Sequence, residues 1–208
     1  MTVDRRCGRR ALLAGVGGVL VAPAAAEAAW HGTNVTGAFA DLAFTMTRTS
    51  DGKTVTAADY RGKVVVVYFG FTRCPDACPL TMFNIARALR HMSPAAAQKV
   101  AVLFVTIDLA YDTLPRLKAY MAKFGPAPQF DGLRGTPAEL AAMAKRYDVS
   151  YVAPSSAASP DPVAAISHSA AVYAFDPRGR ARLLLGMLGT KHPAIADAAA
   201  DFTRLGRS

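Results

Sequence analysis

Val64-Val-Val-Val-Tyr-Phe-Gly-Phe-Thr-Arg-Cys-Pro-Asp-Ala-Cys-Pro79 decides how the rest of the chain is read. Its first half is β-branched and aromatic without a polar break, which predicts a strand buried on both faces. The run breaks at Gly70, and Pro79 suits the first position of a helix because the N–H it lacks would have no partner there. Cys78 is then the expected N-cap. A thiol so placed feels unpaired backbone donors and the positive end of the helix dipole, which favours its thiolate and lowers its pKa. Cys74 and Cys78 therefore sit at a strand-to-helix turn, placed for metal binding or redox work.

Working outward, the stretch from Asp41 to Thr47 alternates, and Thr49-Ser-Asp-Gly52 turns back into Thr54-Val-Thr56, an edge hairpin. Beyond the cysteines, Leu80, Phe83, Ile85, Ala86, Leu89 and Met92 recur at helical spacing until Ser93-Pro94. Val100 to Ile107 reads as a second buried strand closing on Asp108. Asp112-Thr113 caps a helix through Leu117, Tyr120, Met121 and Phe124, stopped by Gly125-Pro126. Thr136, Pro137 and Glu139 give a capped start to another, carrying Leu140, Met143, Ala144 and Tyr147. Ala153 to Pro162 is loop by composition. Ser169 to Phe175, the turn Asp176-Pro-Arg-Gly179 and Ala181 to Leu185 form an antiparallel hairpin, and an alanine-rich helix from near Pro193 closes the chain. A β-α-β unit followed by a hairpin and a helix predicts an α/β, thioredoxin-like fold: a central mixed sheet flanked by helices, with an N-terminal β-hairpin.

The opening carries Arg5, Arg6, Arg9 and Arg10, then an apolar run from Ala11 to Ala22 and an alanine-rich end. This is the pattern of an export signal, twin-arginine in type. An uncleaved anchor is the alternative, although the run falls short of the ~20 apolar residues that span a bilayer. The expected organisation is a leader over 1–28, a linker over 29–40 and one domain over 41–208, exported to the periplasm or the outer face of the inner membrane. The net charge of +9 owes much to the leader, and the remaining Lys and Arg are scattered, which argues against a nucleic-acid surface. A monomer is expected.

Cys7 belongs to the leader, so the exported part holds Cys74 and Cys78 alone. As a staple the pair would close too small a loop to stabilise the fold. Thioredoxin-type redox pairs have two intervening residues; the three here widen the bite and suit two thiolates around one soft ion. Thiolate pairs select copper(I) or zinc, and one added imidazole accommodates either copper(I) or copper(II). His168 is the candidate, because in a thioredoxin-like fold the position before that strand faces the cysteine turn.

The motifs Phe69-Gly-Phe-Thr-Arg-Cys-Pro-Asp-Ala-Cys-Pro79, Val105-Thr-Ile-Asp108, Asp112-Thr113, Leu117-Lys-Ala-Tyr120, and His168-Ser169 with Asp176-Pro-Arg-Gly179 resemble the Sco (SenC-type) family of copper proteins. The resemblance runs from about Asp41 to Leu185. It implies that Cys74, Cys78 and His168 bind Cu(I) and Cu(II). It also implies delivery of that copper to the dinuclear copper site of cytochrome c oxidase, or reduction of that site's thiols. A related cuproprotein is the alternative client, and an upstream copper donor or thiol reductant is implied. The family pattern has an aspartate before the histidine and a proline and arginine in the aspartate segment; here these are Ser167, Leu109 and Tyr111.

A thiol-disulfide oxidoreductase is the competing class, with Cys74 and Cys78 as its redox pair; a peroxidase-type thiol enzyme ranks third. Asp76 could orient a ligand, move a proton or satisfy the turn backbone. Asp108 and Asp112 are expected to cap and pin loops, His91 to favour a helix C-terminus, and His192 to be solvated. Met82, Met92, Met121, Met143 and Met187 are expected to pack rather than ligate. Were the leader cut before Ala29, the free amine with His31 could form a square-planar copper(II) site.

Overall fold

The computed structural model describes residue 1, residues 29–152, the backbone of residues 167 and 168, and residues 171–208. The leader, the loop over 153–162 and Ser169 lie outside the described residues. Along the chain come β1 (Thr33–Asn34), β2 (Thr45–Arg48), β3 (Thr54–Thr56), β4 (Val64–Gly70), α1 (Ala77–His91), a short α2 (Pro94–Ala97), β5 (Val100–Thr106) and α3 (Leu114–Met121). Then follow β6 (Phe130–Arg134), α4 (Pro137–Arg146), β7 (Tyr151–Val152), β8 (Ser167–His168), β9 (Val172–Phe175), β10 (Ala181–Leu184) and α5 (Ile195–Leu205). Eight strands form one mixed sheet in the order β1-β10-β9-β4-β5-β6-β2-β3, while β7 and β8 pair separately.

β4 is the centre. All seven of its residues are buried, paired in parallel with β5 from Val64↔Val100 to Gly70↔Thr106 and antiparallel with β9. Covering a strand on both faces demands the unbroken apolar run that the sequence supplies. The expected edge hairpin is β2–β3, in register Thr45↔Thr56 to Thr47↔Thr54. The expected C-terminal hairpin is β9–β10, with β9 running from Val172 and the expected start at Ser169 outside the described residues. Asp176 closes its turn: burial would raise its pKa, but the Arg180 N–H and the guanidiniums of Arg180 and Arg182 hold it below the usual carboxylate range.

The helix starts follow local chemistry. Thr136 and Glu139 form the reciprocal capping box of α4, with Pro137 in its first turn. Thr113 caps α3 by accepting from the Arg116 N–H. α1 departs from expectation, starting at Ala77 with Asp76 as N-cap. Cys78 is therefore its second residue, not its cap. Phe83, expected on the core stripe, is 47% exposed.

Four strands escaped the sequence reading, the short β7 and β8 and two that extend the main sheet. β1, within the stretch expected as linker, pairs with β10 through Thr33↔Leu184. β6 joins β5 in parallel and β2 antiparallel, although Asp131 and Gly132 in its middle are poor strand formers. β6 is demanded by its neighbours. The Asp131 carboxylate accepts from the Thr49 and Ser50 N–H groups and from the Thr49 hydroxyl. A Cβ on Gly132 would lie 2.4 Å from Leu117 Cγ. Gly132→Ala should therefore overpack the β6–α3 contact by about 1–3 kcal/mol. Thermal unfolding checks this: a melting temperature lowered by several degrees is expected, and an unchanged one contradicts the contact.

Candidate metal centre

Beyond β4 the chain passes through Phe71, Thr72 and Arg73 to Cys74, and the loop after β5 runs alongside. The Ile107 N–H donates to the Gly70 carbonyl at 2.9 Å. Asp112, with no exposed surface, accepts from the Thr72 N–H at 3.0 Å, from the Thr72 hydroxyl, and from the Thr106 hydroxyl at 2.6 Å. Asp108, equally buried, accepts from Arg73 Nη2 at 2.6 Å and from Nε at 3.1 Å. Both carboxylates pin loops, as their positions in the sequence suggested. Burial nevertheless raises the Asp112 pKa. Tyr111 lies between two cations, its ring centroid 4.2 Å from the Arg73 guanidinium carbon and 4.3 Å from that of Arg116.

This clamp presents the two sulfurs side by side. The Cys74 N–H closes a turn onto the Phe71 carbonyl, and the Cys78 N–H donates to Cys74 Sγ at 3.3 Å. Both cysteines are thiols; Cys74 is half-buried and Cys78 has no exposed surface. Gly70 makes room: a Cβ there would lie 2.9 Å from the Phe104 ring and 3.0 Å from Cys78 Sγ. The Tyr68 phenol, itself fully buried, faces the Cys78 sulfur.

The expected acidity of Cys78 is reversed. Its hydrogen bond with Cys74, followed by burial, drives its pKa far above the ordinary thiol range. A helix dipole acting on the second residue does not offset a neighbouring thiol and the loss of water.

His168 is placed by backbone in β8, opposite Tyr151 of β7, and so arrives on a different element from the cysteines. Among the described residues, no three His, Cys, Asp or Glu side chains come together as a metal site. A groove of about 580 Å³, lined by Ile107, Leu109, Arg134, Leu140 and Tyr151 among others, opens beside that ribbon.

The remaining candidates separate cleanly. The Asp76 side chain is exposed and makes no capping bond. His91 ends α1 and His192 is exposed. Met82, Met92, Met121 and Met143 are buried, with Met187 packed against the core. His31 donates its N–H to Asp201 and lies 3.2 Å from the same carboxylate through Nδ1. The amide and ring nitrogen that a square-planar site would use are thus already engaged. Gly70, Tyr68, Thr72 and Arg73 were not singled out as functional, and only the break at Gly70 was visible beforehand. Among the described residues, no helix is long and apolar enough to cross a membrane.

The sequence profile of the SCO1/SenC family matches residues 35–203. Protein SenC of Rhodobacter capsulatus is 33% identical over 127 residues, 61% of this chain and 55% of that protein. The mitochondrial SCO1 homolog 1 of Arabidopsis thaliana is 35% identical over 102 residues, 49% of this chain and 30% of that protein. The match thus spans from under a third to just over half of these relatives' length. Among solved structures, copper-bound ScoI of Bradyrhizobium japonicum superposes with a TM-score of 0.65 at 34% identity, covering 79% of this chain and 98% of that one.

The unequal thiols give a direct test. A buried thiol with a raised pKa stays protonated, and hence unreactive, through neutral and mildly alkaline pH. Iodoacetamide at pH 8 should alkylate Cys74 of the native protein at least about tenfold faster than Cys78. Peptide mapping reads the order; equal labelling, or Cys78 first, contradicts the geometry.

Proposed function

The chain belongs to the SCO1/SenC family, and from that premise we propose that it carries copper on Cys74, Cys78 and His168. It would hand the metal to the dinuclear copper site of cytochrome c oxidase or of a related cuproprotein, outside the cytoplasm. The observation that carries the reading is the clamped thiol pair, one sulfur reachable and one buried, with Cys78 N–H on Cys74 Sγ. The copper held by the Bradyrhizobium protein supports the choice of metal. Two sulfurs and one nitrogen also make a soft, low-coordinate site that admits both copper oxidation states.

Geometry suggests how such a site would load and unload. Cys78 must shed a proton that its surroundings hold firmly, so copper capture releases protons and weakens in acid. The partly exposed Cys74 is the sulfur that an incoming ligand can reach. Because His168 stands on a separate ribbon from the clamped turn, its bond could break without disturbing the thiols. A three-coordinate ion would then become a two-coordinate one open to the acceptor.

The same asymmetry supports thiol-disulfide exchange as a second reading. The Cys74 thiolate would attack a partner disulfide and expel one partner thiolate. Cys78, losing its proton, would then displace the second, leaving a Cys74–Cys78 disulfide and a partner reduced by two electrons. An external dithiol would restore the pair.

The two readings part at His168. Reduced protein should bind one copper(II) with a sulfur-to-copper charge-transfer band. His168→Ala should abolish the band and weaken copper(II) binding more than about a hundredfold, beyond what the loss of a supporting contact costs. Titration followed by absorption spectroscopy checks both. Unchanged colour and affinity would remove His168 from the site, and a reduced wild type that binds no copper would leave the oxidoreductase.

A further inference from the structure

α1 leads directly away from the cysteine turn, and one line of residues along it is unlike the rest. Asp76, Pro79, Leu80, Phe83, Arg87 and Arg90 follow three- and four-residue spacing and so share one face. Pro79 and Leu80 are half-buried, while Asp76, Phe83, Arg87 and Arg90 are exposed. The opposite face, carrying Cys78, Met82, Ile85 and Leu89, is buried.

Phe83 is not a floppy surface ring. Phe124 holds it edge-on at 4.9 Å between centroids, and Tyr120 holds Phe124 at 5.0 Å. Its exposed surface is therefore presented by a fixed stack rooted in the core, the arrangement expected of an interface anchor. Beyond it, no Asp or Glu occurs from Ala77 to His91, and neither Arg87 nor Arg90 forms an ion pair among the described residues. Exposed Lys123 flanks the same stack. Past the single exposed carboxylate of Asp76 beside the thiols, the face is apolar through Phe83 and cationic farther out.

We propose that this face of α1 docks an acidic protein, the client that exchanges metal or electrons at Cys74, with Phe83 as anchor and Arg87 and Arg90 as steering charges. The client's identity rests on the function proposed above. Ligand exchange brings a partner sulfur into bonding contact with Cys74, so the partner must cover the ground around it. A typical footprint of about 800 Å² per partner has a radius of about 16 Å. Along a helix rising ~1.5 Å per residue, Phe83 lies ~10 Å beyond Asp76, Arg87 at the rim at ~16 Å, and Arg90 just outside it at ~21 Å. Charges at a rim act mainly on encounter rate, and a buried anchor acts on dissociation. An anionic bilayer would suit the arginines equally, but seated on this face it would close off Cys74.

The test uses the metal-free full chain and, as probe, a soluble acidic domain bearing the dinuclear copper site of a cytochrome c oxidase subunit. Association and dissociation are followed at low and high salt, with copper titration of each protein alongside. The wild type should dock, more slowly as salt rises. R87E/R90E should slow association about tenfold at low salt and flatten its salt dependence. Phe83→Ser should speed dissociation about tenfold and leave association near wild type. Both variants should keep the wild-type fold by circular dichroism and bind copper as it does. Absence of wild-type docking, docking unaffected by the substitutions, or an effect confined to phosphatidylglycerol vesicles overturns the proposal. Altered docking in a protein that binds no copper would sink the copper reading and leave the face standing.

Discussion

Two carboxylates with no exposed surface, Asp108 and Asp112, hold the cysteine turn against the loop that follows β5. Leaving water is costly for a carboxylate unless its oxygens find donors. Here Arg73 answers one and the Thr72 and Thr106 groups answer the other. Arg73 and Thr72 donate from the turn itself and the acceptors lie on the next loop, so the turn cannot swing out without stranding a buried charge. A thiol pair in the loop that leaves the end of the central strand, where loops are ordinarily free to move, is thereby held to one geometry.

From that clamp follows the division between the sulfurs. Gly70, at the last position of β4, leaves the space that the Phe104 ring and Cys78 Sγ both approach, while Cys74 remains half-buried. The hydrogen bond with the neighbouring sulfur, then burial, raises the Cys78 pKa, so whatever engages the pair meets the partly exposed Cys74 first. β8, which carries His168, belongs to the two-stranded sheet with β7 rather than to the eight-stranded one. On the copper reading, the site has one half fixed by the core and one half brought by an independent ribbon, a construction suited to holding an ion that must later be released.

The sequence exposed those features that one segment determines alone. The apolar run of β4, the capping box of α4 and the tight turn between β9 and β10 each carry their cause within a few residues, and each was legible. β6 was not, because Asp131 and Gly132 look wrong for a strand until Thr49 and Leu117 are seen against them. The start of α1 was misplaced toward Pro79, since a proline tolerates any position of the first turn, not only the first. The acidity of Cys78 was misjudged for a related reason: helix position is visible in sequence, whereas burial and the adjacent sulfur are consequences of packing. Phe83 fitted a helical stripe, yet spacing could not reveal that the stripe turned outward there.

The central claim is that a clamped pair of sulfurs and one imidazole from a separate ribbon close around one copper ion. X-ray absorption at the copper edge of reduced protein loaded with one Cu(I) measures that coordination shell directly. The account predicts two sulfur scatterers and one histidine nitrogen. A shell of two sulfurs alone, or one identical in the His168→Ala protein, would contradict it.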